Sequence, residues 1–281
     1  MRIPLRRQLA TAAVAVSAIA LAGAVPAPVS AAPTWAPAAT ATVHPGVVTD
    51  TAGGQCTSNF VFTDSAGAVY LGQAAHCSGT GAATETDGCT AASLPLGTRV
   101  TIDGASRPGT LVYNSWITMQ SRGETNPDVC AYNDFALVRV DPADVGKVNP
   151  SVPSWGGPTG LGTGTTSAGQ TVVSYGNSPL RGGVSLLSPK EGVSVGDEGG
   201  GWSHTVLTVT PGVPGDSGSA FMDTSGRAIG VLSTLALTPV PGSNGVGDLP
   251  RELSYAQQTS GLAGLTLVRG TEPFQSPLLP L

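Results

Sequence analysis

Pro214-Gly215-Asp216-Ser217-Gly218-Ser219-Ala220 reads as a tight, glycine-bounded turn that runs into a strand and carries a serine at its tip. A serine hydroxyl is a poor nucleophile at neutral pH and needs an adjacent base. Of the chain's 3 histidines, His76 stands in Leu71-Gly72-Gln73-Ala74-Ala75-His76-Cys77, directly after a strand-like run. Imidazole suits the base's role because its pKa lies near the working pH. Asp134, in Asn133-Asp134-Phe135-Ala136-Leu137-Val138, opens another apolar strand. A carboxylate buried there would fix the imidazole tautomer and stabilise the imidazolium. Glycine at Gly215 lets a backbone N–H turn inward, where with the N–H of Ser217 it forms an oxyanion hole. His44 and His204 read as surface or turn residues without a role.

The surroundings of these residues are strand-like throughout. Residues 58–63 alternate and are rich in aromatic and β-branched side chains, residues 64–67 form a turn, and residues 68–71 return, so the pair reads as a hairpin. Further strands are expected at 99–103, 110–119, 135–140, 171–175, 184–187, 203–209, 220–222 and 228–234, each bounded by Gly, Pro, Asn or Asp. No helical stripe precedes the C-terminal region, where Asp248-Leu249-Pro250-Arg251-Glu252 has helix-start chemistry. Many short strands mean an all-β sandwich or barrels, and about 235 folded residues suit two small barrels. The join is expected near residues 147–165, where Pro and Gly crowd.

Composition narrows the function. Charged residues are 11% of the 281, with only two lysines, which argues against a coiled coil or a nucleic-acid binder. A formal net charge of -5 disfavours phosphate backbones and anionic membranes as partners. Chain order also selects. An α/β-hydrolase runs Ser, acid, His, and no histidine follows Ser217. A subtilisin needs an α/β helical periodicity that is absent.

Ala74-Ala75-His76-Cys77, Asp134-Phe135-Ala136-Leu137-Val138 and Gly215-Asp216-Ser217-Gly218, in that order, resemble the chymotrypsin/trypsin-like serine peptidase family, especially its secreted bacterial members. The resemblance implies two antiparallel six-stranded β-barrels with the site between them. It implies His76 as general base, Asp134 as orienter and Ser217 as nucleophile, Gly215 and Ser217 as oxyanion donors, and no cofactor or metal. The residue six before the nucleophile, here Pro211, is expected at the base of the specificity pocket, and Ser233, Thr234 and Leu235 along its wall. Pro211 offers no charge for Arg or Lys, and Leu232 stands before Ser233 where glutamate-specific members of the family place a histidine, so Arg, Lys and Glu are not the expected preference; an acidic loop at Asp197 and Glu198 folding over the pocket mouth is the one route to a basic one. The sequence departs from the family at Ser219, which stands where glycine is usual. It has no cysteine after Cys130 to brace the pocket, and no Ile-Val-Gly-Gly after a basic site, so a new N-terminus docking beside Asp216 is not expected.

The first segment reads as an address. Residues 1–32 carry Arg2, Arg6 and Arg7, then an uncharged apolar run, then small residues, which is a secretory signal by either the general or the twin-arginine route. Residues 33–48 read as a short leader or tether, 49–146 as the first barrel and 147–281 as the second. Four cysteines, Cys56, Cys77, Cys89 and Cys130, imply two disulfides in an exported chain and allow three pairings. The family resemblance implies Cys56–Cys77, which leaves Cys89–Cys130. Metal spacing is absent. Trp35, Trp116, Trp155 and Trp202 are expected in packing rather than in carbohydrate stacking. The expected product is a secreted, monomeric serine endopeptidase acting on protein or peptide, without nucleic acid or stable membrane association; the alternative is a catalytically weak or inactive homologue that keeps the fold as a secreted binding protein.

Overall fold

The computed structural model describes residues 32–52, 54–236 and 240–277. Nearly all of the segment read as a signal, residues 1–31, lies outside them. Among the described residues, no helix is long and apolar enough to cross a membrane.

Among the described residues, fifteen strands form two sheets. The first half supplies β1 (Val48–Thr51), β2 (Gly54–Thr57), β3 (Val61–Thr63), β4 (Val69–Gln73), β5 (Arg99–Ile102), β6 (Gly109–Asn114) and β7 (Ala136–Arg139). The second supplies β8 (Gly160–Leu161), β9 (Thr171–Tyr175), β10 (Pro189–Glu198), β11 (Ser203–Thr208), β12 (Ala220–Asp223), β13 (Arg227–Leu235) and β14 (Asn244–Asp248), and the chain ends with β15 (Thr266–Leu267). The second sheet runs β12-β9-β10-β11-β14-β13 and closes by pairing β12 with β13, giving a six-stranded antiparallel barrel with β8 added in parallel at its edge. The first runs β15-β3-β4-β7-β6-β5-β1-β2. No strand pairing closes this eight-stranded sheet among the described residues; the chain itself links its two sides, since β2 pairs with β1, continues through residues 58–60, and emerges as β3 against β4. The Ser58 N–H still reaches the Val47 carbonyl on one side while the Asn59 N–H has already moved to Gly72 on the other.

Among the described residues, three α-helices interrupt the β pattern: α1 (Ser115–Arg122), α2 (Pro127–Tyr132) and α3 (Leu249–Thr259). α3 starts where expected, with the Asp248 carboxylate accepting the Arg251 N–H. Residues 110–119, expected as one strand, split at Asn114, whose side-chain oxygen accepts the N–H groups of Trp116 and Ile117 and starts α1. Trp116 and Met119 then share the buried face at helical spacing. Residues 184–187, also expected as a strand, form a short 3₁₀ turn; pairing begins only at Pro189, opposite Tyr175.

Residues 33–48, expected as a leader or tether, lie against the first barrel. Ala36 and Val43 donate their N–H groups to the carbonyls of Val148 and Lys147, and Val43 is fully buried. The C-terminal segment likewise returns from the second barrel to lay β15 on β3. One apolar cluster fills the seam: Phe60, Phe62, Tyr113, Phe135 and Leu137 from the first barrel meet Val173, Met222, Val231 and Leu253 from the second half of the chain. Trp116 is buried, and Trp35, Trp155 and Trp202 pack against core clusters. Cys56 is bonded to Cys77 and Cys89 to Cys130, at sequence separations of 21 and 41. Loops of that length are worth about 3 and about 4 kcal/mol on the chain-entropy model.

Candidate active site

The seam pairs His76 with Asp134 and sets Ser217 on the same cavity as His76, with no hydrogen bond between Ser217 and His76 among the described residues. His76 sits in the 3₁₀ turn Ala75–Ser78 that follows β4 directly. Asp134 lies between α2 and β7, and Ser217 in the turn before β12. His76 Nδ1 is 2.6 Å from Asp134 Oδ2. Because the carboxylate can only accept, Nδ1 carries the proton and Nε2 is left with its lone pair. The backbone N–H of His76 donates to Asp134 Oδ1 at 2.9 Å, so both carboxylate oxygens grip the same residue. A further donor is the Ser233 hydroxyl, 2.6 Å from Oδ2. Burial works against both charges, yet the pair holds: the Asp134 carboxylate pulls His76 above its ordinary pKa, and His76 with Ser233 holds Asp134 below the usual carboxylate range.

Ser217 is held by main-chain contacts across the seam. Thr57 of β2 donates its N–H to the Ser217 carbonyl and its hydroxyl to the Gly215 carbonyl, both at 2.8 Å. Gly215 has φ +95°, and a Cβ there would stand 2.7 Å from Pro179 Cδ. Gly218 has φ +88°, and its Cβ would meet the Thr57 carbonyl oxygen at 2.5 Å. Both positions therefore demand glycine. Among the described residues, neither the Gly215 N–H nor the Ser217 N–H has a hydrogen-bond partner, which leaves two donors for an incoming oxyanion.

Asp216 anchors the turn from below. It is fully buried, contacts Arg181 Nη2 through Oδ2, and lies 2.8 Å from Lys190 Nζ. Its two oxygens also accept the N–H groups of Ser178 and Val213. Burial alone would raise its pKa; Arg181 and Lys190 hold it below the usual range. Burial in turn pulls the Lys190 ammonium below its ordinary value despite the Asp216 charge. No free N-terminus is needed beside Asp216, because the chain supplies both cations internally. Neither was singled out in the sequence. The available signal was one of only two lysines, placed at an inward position of the alternating strand β10.

A cavity of about 580 Å³ opens over these groups. His76, Ser217 and Gly215 line it together with Gly212, Val213, Leu232, Ser233, Thr234, Leu235 and Asn244. Pro211 is exposed and does not line it; its carbonyl instead accepts from Lys190 Nζ at 3.3 Å. Gly212 and the buried Asn244 line it instead, and the Asn244 amide accepts the Gly212 N–H and donates to the carbonyls of Gly212 and Thr234. The acidic pair expected as a route to basic specificity is engaged elsewhere: Asp197 binds Thr166 and His204, and Glu198 the Thr205 hydroxyl. Glu85 is the only carboxylate among the described lining residues, on a loop beyond His76.

His204 is not a surface residue. It is fully buried, with Nδ1 at 2.7 Å from Asp197 and Nε2 at 3.0 Å from Asp248. Burial opposes its charge, but the two carboxylates pull its pKa above the ordinary value. Its partners come from strands β10 and β14 on either side of β11, a pairing that local sequence does not reveal. His44, partly buried, sits with Nδ1 2.8 Å from the Pro45 carbonyl. The two side-chain groups with metal-like spacing among the described residues include disulfide sulfurs, which have no thiolate to offer.

The sequence matches a model of the trypsin-like peptidase domain over residues 74–231. None of the curated proteins is similar to it in sequence. Among solved structures, protease A of Thermobifida fusca aligns at a TM-score of 0.51 and 18% identity, covering 81% of this chain and 99% of that one. A chymotrypsin from Cellulomonas bogoriensis aligns at 0.47 and 17% identity over 80% and 98% of the two chains. A Nocardiopsis protease aligns at 0.45 and 19% identity over 80% and 98%.

Proposed function

The chain belongs to the trypsin-like peptidase domain family, and from that premise we propose that it is an exported serine endopeptidase working through a His76, Asp134 and Ser217 triad. The observation that carries this is the 2.6 Å pairing of His76 Nδ1 with buried Asp134 in a cavity that Ser217 shares. Ser217 Oγ attacks the scissile carbonyl, and His76 Nε2 takes its proton. Asp134 keeps the imidazole in the required tautomer and stabilises the imidazolium. The Gly215 and Ser217 N–H groups receive the oxyanion. His76 then returns the proton to the leaving amine, and water activated by the same imidazole releases the acyl group. Export fits the two disulfides, which form and persist in oxidising compartments.

The pH dependence follows from the direction of the His76 shift. The base works only as neutral imidazole, and its pKa is raised from 6.5. The acid limb of kcat/KM should therefore have its midpoint above 6.5 and fall as pH drops through it. A kcat/KM that stays flat between about pH 5 and about pH 8 contradicts His76 as base.

The cavity wall beside Ser217 offers Gly212, Val213, Leu232 and Thr234 and no charged side chain among the described residues. A cationic guest would be desolvated unpaired, at a cost of several kcal/mol. Small or apolar side chains are the expected guests before the scissile bond. Fluorogenic peptides varied only at that position test both the activity and the pocket. Arg or Lys substrates beating Leu, Val and Ala by about tenfold, which is about 1.4 kcal/mol, would overturn the pocket assignment.

A further inference from the structure

The C-terminal helix places an acid directly behind the His76–Asp134 pair. Glu252, in the first turn of α3, is fully buried, and its Oε1 accepts the backbone N–H of Asp134 at 2.9 Å. Its Oε2 has no hydrogen-bond partner among the described residues. β14 closes over the carboxyl, since a side chain at Gly247 would collide with Oε1. The titratable groups that face it are the Asp134 carboxylate, Asp248 at the cap of α3, and the Tyr113 phenol of β6. Arg251, the nearest cation on the same helix, is largely exposed and stands 3.9 Å from Asp248.

We propose that Glu252 is a positioning residue for this site: its buried carboxyl fixes the backbone of Asp134, so that both carboxylate oxygens stay on His76. This rests on the peptidase function proposed above. Among the described residues the Asp134 N–H has no other partner, so the register of this carboxylate depends on Oε1. Its surroundings favour the neutral acid. Burial raises its pKa well above the ordinary value, and the charges of Asp134 and Asp248 raise it further. A neutral carbonyl oxygen accepts the N–H without repelling Asp134, and the unpartnered Oε2 is the place for the proton.

The requirement is thus for an acceptor, not for a charge, which separates this role from a purely electrostatic one. Glu252→Leu removes the acceptor and leaves a buried N–H unpaired; kcat should fall by about 30- to 100-fold with KM changed by less than about threefold. Glu252→Gln keeps a carbonyl at that place and should recover at least about tenfold of that loss, with the acid limb at the wild-type midpoint. Should Glu252→Leu fail to fold, Glu252→Asp, which withdraws the acceptor by one methylene, carries the same test through its kcat. An arm independent of turnover follows His76 by NMR titration in the Ser217→Ala background, where Glu252→Leu or Glu252→Asp should lower its midpoint towards 6.5 and Glu252→Gln should not. A folded acceptor-less variant with unchanged kcat and His76 titration overturns the proposal. So does a Glu252→Gln variant as impaired as Glu252→Leu, or one whose His76 midpoint moves down. A wild-type protein that hydrolyses no peptide would defeat the peptidase function, while the titration arm would still decide the role of Glu252.

Discussion

Replacing Ser217 with alanine should lower kcat/KM by about 10⁴-fold or more while leaving the fold intact. The substitution removes the only atom that forms the covalent intermediate, and loss of a nucleophile of this kind costs several orders of magnitude because triad members act as a unit. The residual rate comes from the oxyanion donors and from binding, which the variant keeps. The fold survives because the turn is held by other groups: Thr57 on the carbonyls of Ser217 and Gly215, and the Gly218 N–H on Leu232. Steady-state kinetics together with thermal unfolding give the result. A folded Ser217→Ala protein that cleaves peptides at the wild-type rate removes Ser217 from the mechanism.

Asp216→Asn should damage stability and turnover together. The wild-type carboxylate is the counter-charge for Lys190, which is wholly buried, and for Arg181, which nearly is. Breaking a buried ion pair by removing one partner costs about 3–5 kcal/mol, since the other charge is left without compensation. The same carboxylate accepts the Val213 and Ser178 N–H groups that shape the segment before Ser217. Loosening it displaces the Gly215 and Ser217 donors, and losing one such donor costs about 10²- to 10³-fold in kcat. Denaturant unfolding should show the loss, and Lys190→Met in the Asp216→Asn background should restore part of it by removing a stranded charge. A single variant within about 1 kcal/mol of wild type would mean that the ion cluster does not hold the turn.

The residues proposed to carry chemistry stood out as candidates because each lies in a local motif: a histidine after a strand, an acid before one, a serine in a turn with glycine on both sides. The two-barrel organisation was legible from the even spacing of short strands and from the resemblance those motifs carry. What supports the site was not, because its pairings are remote in sequence. Asp134 and Glu252 are 118 residues apart, Asp216 and Arg181 35, and His204 and Asp248 44. Lys190 and His204 take inward positions on β10 and β11, but His204 reads as a surface residue in the sequence because neither its burial nor its carboxylate partners are local. The helix at residue 115 was hidden for a different reason: alternating β-branched residues suit a strand, and one capping side chain at Asn114 decides against it. Pro211, expected at the pocket base, does not line the cavity, while its neighbour Gly212, held by Asn244 from 32 residues away, does.

The most direct test is covalent. An active-site fluorophosphonate reacts with a serine hydroxyl only where a neighbouring base and oxyanion donors activate it. The mature protein should take up one phosphonyl group, mapped by peptide mass spectrometry to Ser217. Labelling should slow as pH falls through the raised His76 pKa, and Ser217→Ala should take up none. A folded wild-type protein that remains unlabelled, or a label that persists on the Ser217→Ala variant, would contradict the assignment of this seam as a serine peptidase active site.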